Sequence, residues 1–229
     1  MYERRHFPRW AALAVILWSC GAAWSQEAPP TVIPPPALDA PSASGGLEKA
    51  VLAGGCYWGT QGIFEHVKGV KRVMAGFSGG YSDSDGAAEA VMITFDPRAI
   101  SYGKLLQIFF SVVHDPTELD RQGPDLGISY RSDIFYTSPV QQRVAAAYIG
   151  QLDRAGVFPA KLVTRVDPLR MFHPADFSQQ NYMIKNPNLR YILVNDVPKL
   201  GSLKQFFPSY YQSYAIEYRP ASSMLLSGE

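Results

Sequence analysis

The sequence predicts a mixed α/β (α+β) fold, a ferredoxin-like split β-α-β two-layer sandwich with a long irregular C-terminal tail. Segments with the two-residue period of strands alternate with segments of helical period, in the order strand, helix, strand, strand, helix, strand. The 47% hydrophobic and 13% aromatic content is sufficient for a substantial core. We therefore expect one mixed sheet with helices on one face.

Local signals delimit each of the predicted elements. In chain order these are strand 48–54, helix 56–66, strands 70–78 and 89–97, helix 101–116, strand 131–138, helix 138–156 and strand 160–168. Glycines end the first strand, and Pro97 ends the third. Ser101 is placed to cap the second helix, and Pro116 follows its end. Pro139 occupies the first turn of the third helix, where its missing N–H costs no hydrogen bond.

The periodic pattern of apolar residues weakens after Pro168. The segments ADFSQQNYMIKNP and GSLKQFF predict short helices within an irregular, aromatic tail. Such a tail has to be held by packing rather than by strand pairing.

The first 46 residues predict an exported protein. A basic start, a short apolar run and small residues form a secretory signal at 1–25, with cleavage after Ser25. A lipoprotein box at Cys20 and a twin-arginine signal are alternatives, and all three predict export, with the bacterial periplasm as the expected location. Residues 26–46 form a Pro/Ser/Ala-rich linker, disordered or extended, so the folded domain is predicted at 47–229.

Charge and spacing exclude several function classes. The net charge is +1 with no basic stripe, so no nucleic-acid partner is expected. The histidines and acids lack metal-ligand spacing, and we expect no bound metal. Apart from lipidation at Cys20, nothing predicts attachment to a membrane.

Cys56 is the first candidate for chemistry. It lies where a strand passes into a helix, and the N–H groups of a helix start favour a thiolate over a thiol. The preceding glycines permit a sharp turn and close approach of another molecule. A buried structural cysteine is the alternative. A papain-like peptidase fits poorly, because His173 lies too close in sequence and the residues AGG just before Cys56 contain no second cysteine.

Several motifs in the right order resemble one family. GGCYWG at 54–59 resembles the Gly-Cys-(Phe or Tyr)-Trp-Gly signature of the A-type peptide methionine sulfoxide reductases. VMAGFSGGY, AEAVMITFDPRAISYGKLLQIFF and HDPTELDRQGPDLGISYRSDIFY are similar to later segments of that family. The resemblance extends from about residue 47 to 187 and is looser over AKLVTRVDPLRMFHPADFSQQNYMIKNP.

This resemblance implies reduction of the S-epimer of methionine sulfoxide, free or in proteins, to methionine. It implies that the Cys56 thiolate attacks the sulfoxide sulfur. Tyr57 and Trp58 would form the apolar pocket for the substrate methyl group. Glu89, kept protonated by partial burial, would donate a proton to the sulfoxide oxygen.

The resemblance also implies supporting roles and a need for an external reductant. Tyr81 and Tyr130 would hydrogen-bond the same oxygen, and Asp125 would orient the site and assist recycling. The product state is a Cys56 sulfenic acid. The C-terminal tail has no cysteine, so a thioredoxin-, glutaredoxin- or glutathione-type thiol or an exported donor must reduce it. We expect no bound cofactor and a monomer.

The sequence departs from the family pattern around the expected site. The stretch from Tyr81 to Glu89 is short, and Ala87 stands where histidine is typical. Pro124 and Ile128 replace common polar residues, and Gln179 replaces a histidine, so we carry no role over to it. A decayed, non-catalytic binding module is therefore one alternative. A thiol peroxidase is another, although it gives the aromatic pair no role.

Overall fold

The computed structural model describes residues 32–41, 45–80 and 86–220. The predicted signal at 1–25 with Cys20, and the candidate Tyr81, lie outside these residues. Within the described ranges, none of the helices combines the length and apolar character needed to cross a membrane.

Eight strands and five α-helices form the described fold. The strands are β1 (Glu48–Gly54), β2 (Val70–Ser78), β3 (Ala88–Phe95), β4 (Arg121–Gln122), β5 (Asp125–Leu126), β6 (Ser132–Tyr136), β7 (Arg165–Pro168) and β8 (Phe172–Pro174). The helices are α1 (Tyr57–Glu65), α2 (Tyr102–Ile108), α3 (Pro139–Ala155), α4 (Tyr182–Lys185) and α5 (Val197–Phe206). Short 3-10 turns at Ile128–Tyr130 and Phe177–Gln179 and π-helical turns at Phe109–Val113 and Ile192–Asp196 complete it.

The main sheet confirms the predicted split β-α-β arrangement. Its strand order is β7-β6-β1-β3-β2-β8, in which the four central strands pair antiparallel. β7 adds to β6 in parallel, so the sheet is mixed, and β8 extends the other edge beside β2. β8 and the small β4–β5 hairpin were not predicted, because strands of two or three residues carry no readable periodicity.

Both faces of the central strands are buried. On β1, Ala50 and Leu52 belong to the large core on the helix side, and Val51 and Ala53 belong to a smaller cluster on the other face. This alternation follows from the two-residue period of a strand. Residues beside β7 and β8 cover the second face, which explains why β1 is a nearly continuous apolar run.

The tail wraps around the end of α1. The N–H of Lys68 donates to the carbonyl of Tyr210 at 2.7 Å, and the N–H of Ile216 donates to the carbonyl of Glu65 at 2.9 Å. Leu203 and Phe207 are buried in the main core. Packing and isolated hydrogen bonds hold this segment, with a single bridge between Val67 and Tyr211 inside the described residues.

The proline-rich segment 32–41 packs against α2 and α3. It contains neither helix nor strand, and Ile33 within it is 1% exposed in the main core. Gln107 Nε2 donates to the carbonyl of Ile33 at 2.7 Å, and the hydroxyl of Tyr148 donates to that of Pro34 at 2.7 Å. The folded unit therefore includes residues before Leu47.

Replacement of Ile33 tests whether this segment stabilises the domain. Ile33→Ala should lower the free energy of unfolding by about 2–5 kcal/mol, the usual cost of emptying a buried aliphatic site. Val32→Ala is the matched control, because Val32 is 52% exposed and its truncation should change stability little. Urea unfolding of both variants measures the difference. Equal stabilities would show that the segment contributes nothing to the folded core.

Candidate active site

The backbone turn before α1 presents Cys56 at the start of the helix. Gly55 has a φ of 83°, a conformation that favours glycine. A Cβ at Gly55 would also lie 2.5 Å from Cγ of Gln122, so a larger residue does not fit. Cys56 is the N-cap residue of α1 and is half-buried. The predicted strand-to-helix junction is thus present.

The expected lowering of the Cys56 pKa is not found in the resting site. Burial raises the pKa of the Cys56 thiol well above its ordinary value, and the negative charge of Glu89 raises it further. Asp196 and Asp125 act in the same direction, whereas the backbone N–H of Trp58 opposes them. The helix start stabilises a thiolate less than burial destabilises it. The free energy lost when a thiolate leaves water exceeds the free energy gained from one or two backbone N–H groups.

Glu89 is held next to Cys56 by the first turn of α1. The residue lies on β3, opposite Phe77 of β2, and is half-buried. Its Oε2 accepts a hydrogen bond of 2.9 Å from the backbone N–H of Tyr57, the residue that follows Cys56. The carboxyl group of Glu89 is thus bonded to the residue next to Cys56, and its charge acts on the Cys56 thiol.

The aromatic pair after Cys56 takes part in two different ring clusters. Tyr57 is buried and meets Phe77 edge to face, with ring centroids 5.6 Å apart. The indole of Trp58 stacks on Tyr182 with centroids 3.9 Å apart and meets Tyr191 at 90°. These contacts fix both rings at the mouth of the site.

Gln179, which received no role from the sequence, contacts the site directly. Its Oε1 accepts a hydrogen bond of 3.0 Å from the indole Nε1–H of Trp58. The amide therefore orients the indole plane. No local pattern could reveal this pair, because its two members are remote in sequence.

Arg131 ties together the two segments that flank the site. Its Nη1 donates to the carbonyls of Gly86 at 2.9 Å and Ile128 at 3.1 Å. The first precedes Glu89, and the second begins the 3-10 turn that carries the half-buried Tyr130. Burial and the charge of Glu89 raise the pKa of Tyr57, and Tyr130 makes a smaller contribution in the same direction, so the two tyrosines are near neighbours.

Asp125 pairs with a tyrosine of the tail. Its Oδ2 accepts a short hydrogen bond from the hydroxyl of Tyr191. Burial raises the pKa of Tyr191 strongly, and the nearby Cys56 and Asp125 raise it further, so this hydroxyl keeps its proton. Tyr191 thereby joins Asp125 to the ring of Trp58.

The structure therefore brings together six of the seven predicted site residues. Cys56 is the N-cap residue of α1, Tyr57 and Trp58 lie in its first turn, and the other three residues come from β3, β5 and the turn before β6. The sequence did not reveal the contributions of the tail, which are Tyr182, Tyr191 and the buried Asp196. The density of aromatic residues was the one signal available there. Over the described ranges, no group of three potential side-chain ligands is arranged to hold a metal ion.

Comparison with known proteins identifies the family to which this site belongs. The family model described as peptide methionine sulfoxide reductase matches residues 48–210. The chain belongs to this family. It is accordingly an oxidoreductase that acts on methionine sulfoxide.

Relatives in this family are similar in sequence to this protein over most of the chain. The peptide methionine sulfoxide reductase MsrA 2 of Mesorhizobium japonicum is 44% identical over 79% of this chain and 98% of its own length. MsrA 2 of Synechocystis is 46% identical over 76% of this chain and 87% of its own length. The resemblance predicted from the motifs is confirmed.

Solved structures of the family share the fold. Mxr1 of Saccharomyces cerevisiae in reduced form superposes with a TM-score of 0.56 at 26% identity, covering 62% of this chain and 87% of its own. Methionine sulfoxide reductase A of Corynebacterium diphtheriae gives a TM-score of 0.54 at 28% identity, covering 70% of this chain and 87% of its own.

Proposed function

We propose that the protein reduces the S-epimer of methionine sulfoxide, free or within exported proteins, through a Cys56 sulfenic acid. The placement of the Glu89 carboxyl by the backbone N–H of Tyr57 carries this proposal. It puts a proton carrier beside the sulfur nucleophile, which is the pair that sulfoxide reduction requires.

The raised pKa of Cys56 defines how the proton moves. A thiolate at Cys56 and a carboxylate at Glu89 disfavour one another, so the two groups share one proton. In the substrate complex that proton passes to Glu89, which leaves the thiolate to attack and the carboxylic acid to donate.

The reaction then balances without any further reagent. The Cys56 thiolate attacks the sulfoxide sulfur and forms a transient S–S bond, while Glu89 protonates the oxygen and the S–O bond of the sulfoxide breaks. The released oxygen then bonds to the Cys56 sulfur as the S–S bond breaks, which leaves a sulfenic acid on Cys56 and the free thioether. Cys56 is oxidised to the sulfenic acid by two electrons, and the sulfoxide is reduced to the thioether. Tyr130 and Tyr81 donate hydrogen bonds to the oxygen, while Trp58 covers the methyl group.

An external thiol completes the cycle, because the sequence has no cysteine besides Cys20 and Cys56. The reductant is a small thiol, a thioredoxin- or glutaredoxin-type protein or an exported donor. The predicted signal places this repair in the bacterial periplasm, with Cys20 lipidation or twin-arginine export as variants. The protein acts as a monomer without a bound cofactor.

Single-turnover chemistry with each epimer tests the proposal. Protein that retains residues 32–41 is mixed with the S- or the R-epimer of methionine sulfoxide, and methionine and sulfenic acid are both quantified. We expect one methionine and one sulfenic acid per protein with the S-epimer, and neither with Cys56→Ser. Equal conversion of both epimers, or methionine without sulfenic acid, would contradict the proposal. Binding of oxidised peptides without turnover would favour the non-catalytic alternative.

A further inference from the structure

The side chain of Arg131 is buried between three segments of the chain. Arg131 follows the 3-10 turn Ile128–Tyr130 and is 5% exposed, and its Nη1 donates to the carbonyls of Gly86 at 2.9 Å and of Ile128 at 3.1 Å. Its Nη2 packs against the end of β2, where a Cβ at Gly79 would lie 2.7 Å away. One guanidinium group therefore contacts the end of β2, the approach to β3 and the turn before β6.

A buried carboxyl group fixes the guanidinium in this place. Asp133 is fully buried, and its Oδ2 accepts a hydrogen bond of 3.1 Å from Nε of Arg131. Phe135 lies on the same face of β6 as Asp133, and its ring centroid is 6.0 Å from the guanidinium carbon. Because Nε and Nη1 both have partners in fixed directions, the planar group cannot turn without losing hydrogen bonds.

The stability of the fold does not account for this buried pair. The second oxygen of Asp133, Oδ1, is buried without a hydrogen-bond partner among the described residues. A buried ion pair adds little to stability, because removing both charges from water costs about as much as their attraction returns. An apolar pair of similar size would fill the same volume. The role of Arg131 therefore lies in the segments whose carbonyl groups it binds.

Those two segments carry two of the groups that act on the sulfoxide oxygen under the proposed function. Gly86 lies three residues before Glu89, and Ile128 begins the turn that carries Tyr130. The two residues between Gly86 and Glu89 are fully buried, so a shift of the backbone at Gly86 is passed on to Glu89. Two donors that converge on one oxygen need a fixed separation, and a displacement of about 1 Å can cost about 10²-fold in rate.

We propose that Arg131 is a positioning residue, whose guanidinium group fixes the distance between Glu89 and Tyr130 and thereby the site for the sulfoxide oxygen. It acts through the carbonyl groups of Gly86 and Ile128 rather than on the substrate itself. The proposal rests on the proposed function, since it needs Glu89 and Tyr130 to act on the same oxygen.

Arg131→Lys tests this role. Lysine keeps a positive charge opposite Asp133, but its single ammonium group cannot reproduce the planar fork of the guanidinium. We expect kcat for methionine sulfoxide to fall by roughly 10–100-fold, because the oxygen gains its charge in the transition state. KM should change by less than about threefold, because the pocket for the methyl group is intact.

The same substitution in a variant that already carries Glu89→Gln and Tyr130→Phe separates positioning from support of the fold. With both of these groups altered, Arg131 has nothing left to position. We therefore expect Arg131→Lys to lower the single-turnover rate by less than about twofold in this background. The loss of a purely structural contact would lower the rate by the same factor in both backgrounds.

Arg165→Lys is the matched control. Arg165 lies beside Asp133 on the neighbouring strand β7, and it pairs with the carboxylate of Asp120 at 3.3 Å near the surface. This variant should leave kcat unchanged, because Arg165 keeps its charge and binds neither of the two carbonyl groups.

Urea unfolding shows whether Arg131→Lys is folded. If it is not, Arg131→Met combined with Asp133→Asn removes the buried pair as a unit, and this variant should show the same loss of kcat. An unchanged kcat, a rise in KM alone, or an equal loss in both backgrounds would overturn the proposal. If the wild type forms no methionine from the S-epimer, the proposed function fails instead.

Discussion

Glu89→Gln should lower kcat/KM for methionine sulfoxide by roughly 10²–10⁴-fold, the usual contribution of a general acid. The amide keeps the shape of the side chain and can still accept the hydrogen bond from the Tyr57 N–H. It cannot deliver a proton to the sulfoxide oxygen. Turnover with an excess of chemical thiol measures the loss.

The same substitution should have the opposite effect on the intrinsic reactivity of Cys56. After burial, the charge of Glu89 is the largest cause that raises the pKa of this thiol. A neutral amide removes that charge, so the pKa of Cys56 falls and the thiolate appears at lower pH. The rate of iodoacetamide labelling against pH should therefore show its midpoint at lower pH in the variant than in the wild type.

Glu48→Gln is the matched control, since Glu48 lies at the far end of β1 from Cys56. It should change neither turnover nor labelling. A loss of only a few-fold in Glu89→Gln would mean that another group protonates the oxygen. An unchanged labelling midpoint would mean that the charge of Glu89 does not act on Cys56.

Glu65→Gln should abolish a loss of stability that the wild type shows as the pH rises. Glu65 ends α1 and is fully buried, and neither of its carboxyl oxygens has a hydrogen-bond partner in the described structure. Burial raises the pKa of Glu65 from 4.5 to about 9; the charge of Glu217 adds to this, and Lys185 opposes it. The tail packs against this residue, since Gln212 and Ile216 both donate to the backbone carbonyl of Glu65.

The direction of this pH dependence follows from the proton that Glu65 takes up on folding. Because the folded state holds this proton more tightly than the unfolded state, folding takes up a proton between the ordinary pKa of 4.5 and the folded value of about 9. The free energy of unfolding therefore falls across this window, by up to about 1.4 kcal/mol per pH unit from this group. The neutral variant has no such slope.

Urea unfolding across this pH window measures the difference between wild type and Glu65→Gln. We expect the curves to diverge as the pH rises, with the variant more stable at the alkaline end. Glu217→Gln is the control, because Glu217 is exposed and its removal should leave most of the slope in place. Parallel curves for wild type and Glu65→Gln would show that Glu65 is ionised in the folded protein.

Local sequence determined the framework that presents the cysteine. The apolar run of β1, the two glycines and the start of α1 are neighbours in the chain, so their periodicity and turn preferences already place Cys56 at a helix start. The same holds for α2 and α3, whose caps Ser101 and Ser138 each accept a hydrogen bond from the backbone N–H three residues later. Glu89 was predicted through the family motif, because its strand carries no local sign of chemistry.

The tertiary structure alone decided the direction of the pKa shift of Cys56 and the enclosure of the site. The pKa of the thiol is raised first by burial and then by the acids from β3, β5 and the tail that meet beside it, and both effects act through space rather than along the chain. The rings that hold Trp58, the amide of Gln179 and the packing of Ile33 are likewise contacts between segments far apart in sequence. Periodicity reports only neighbours within a few residues, whereas burial and electrostatics depend on which remote segments share a volume.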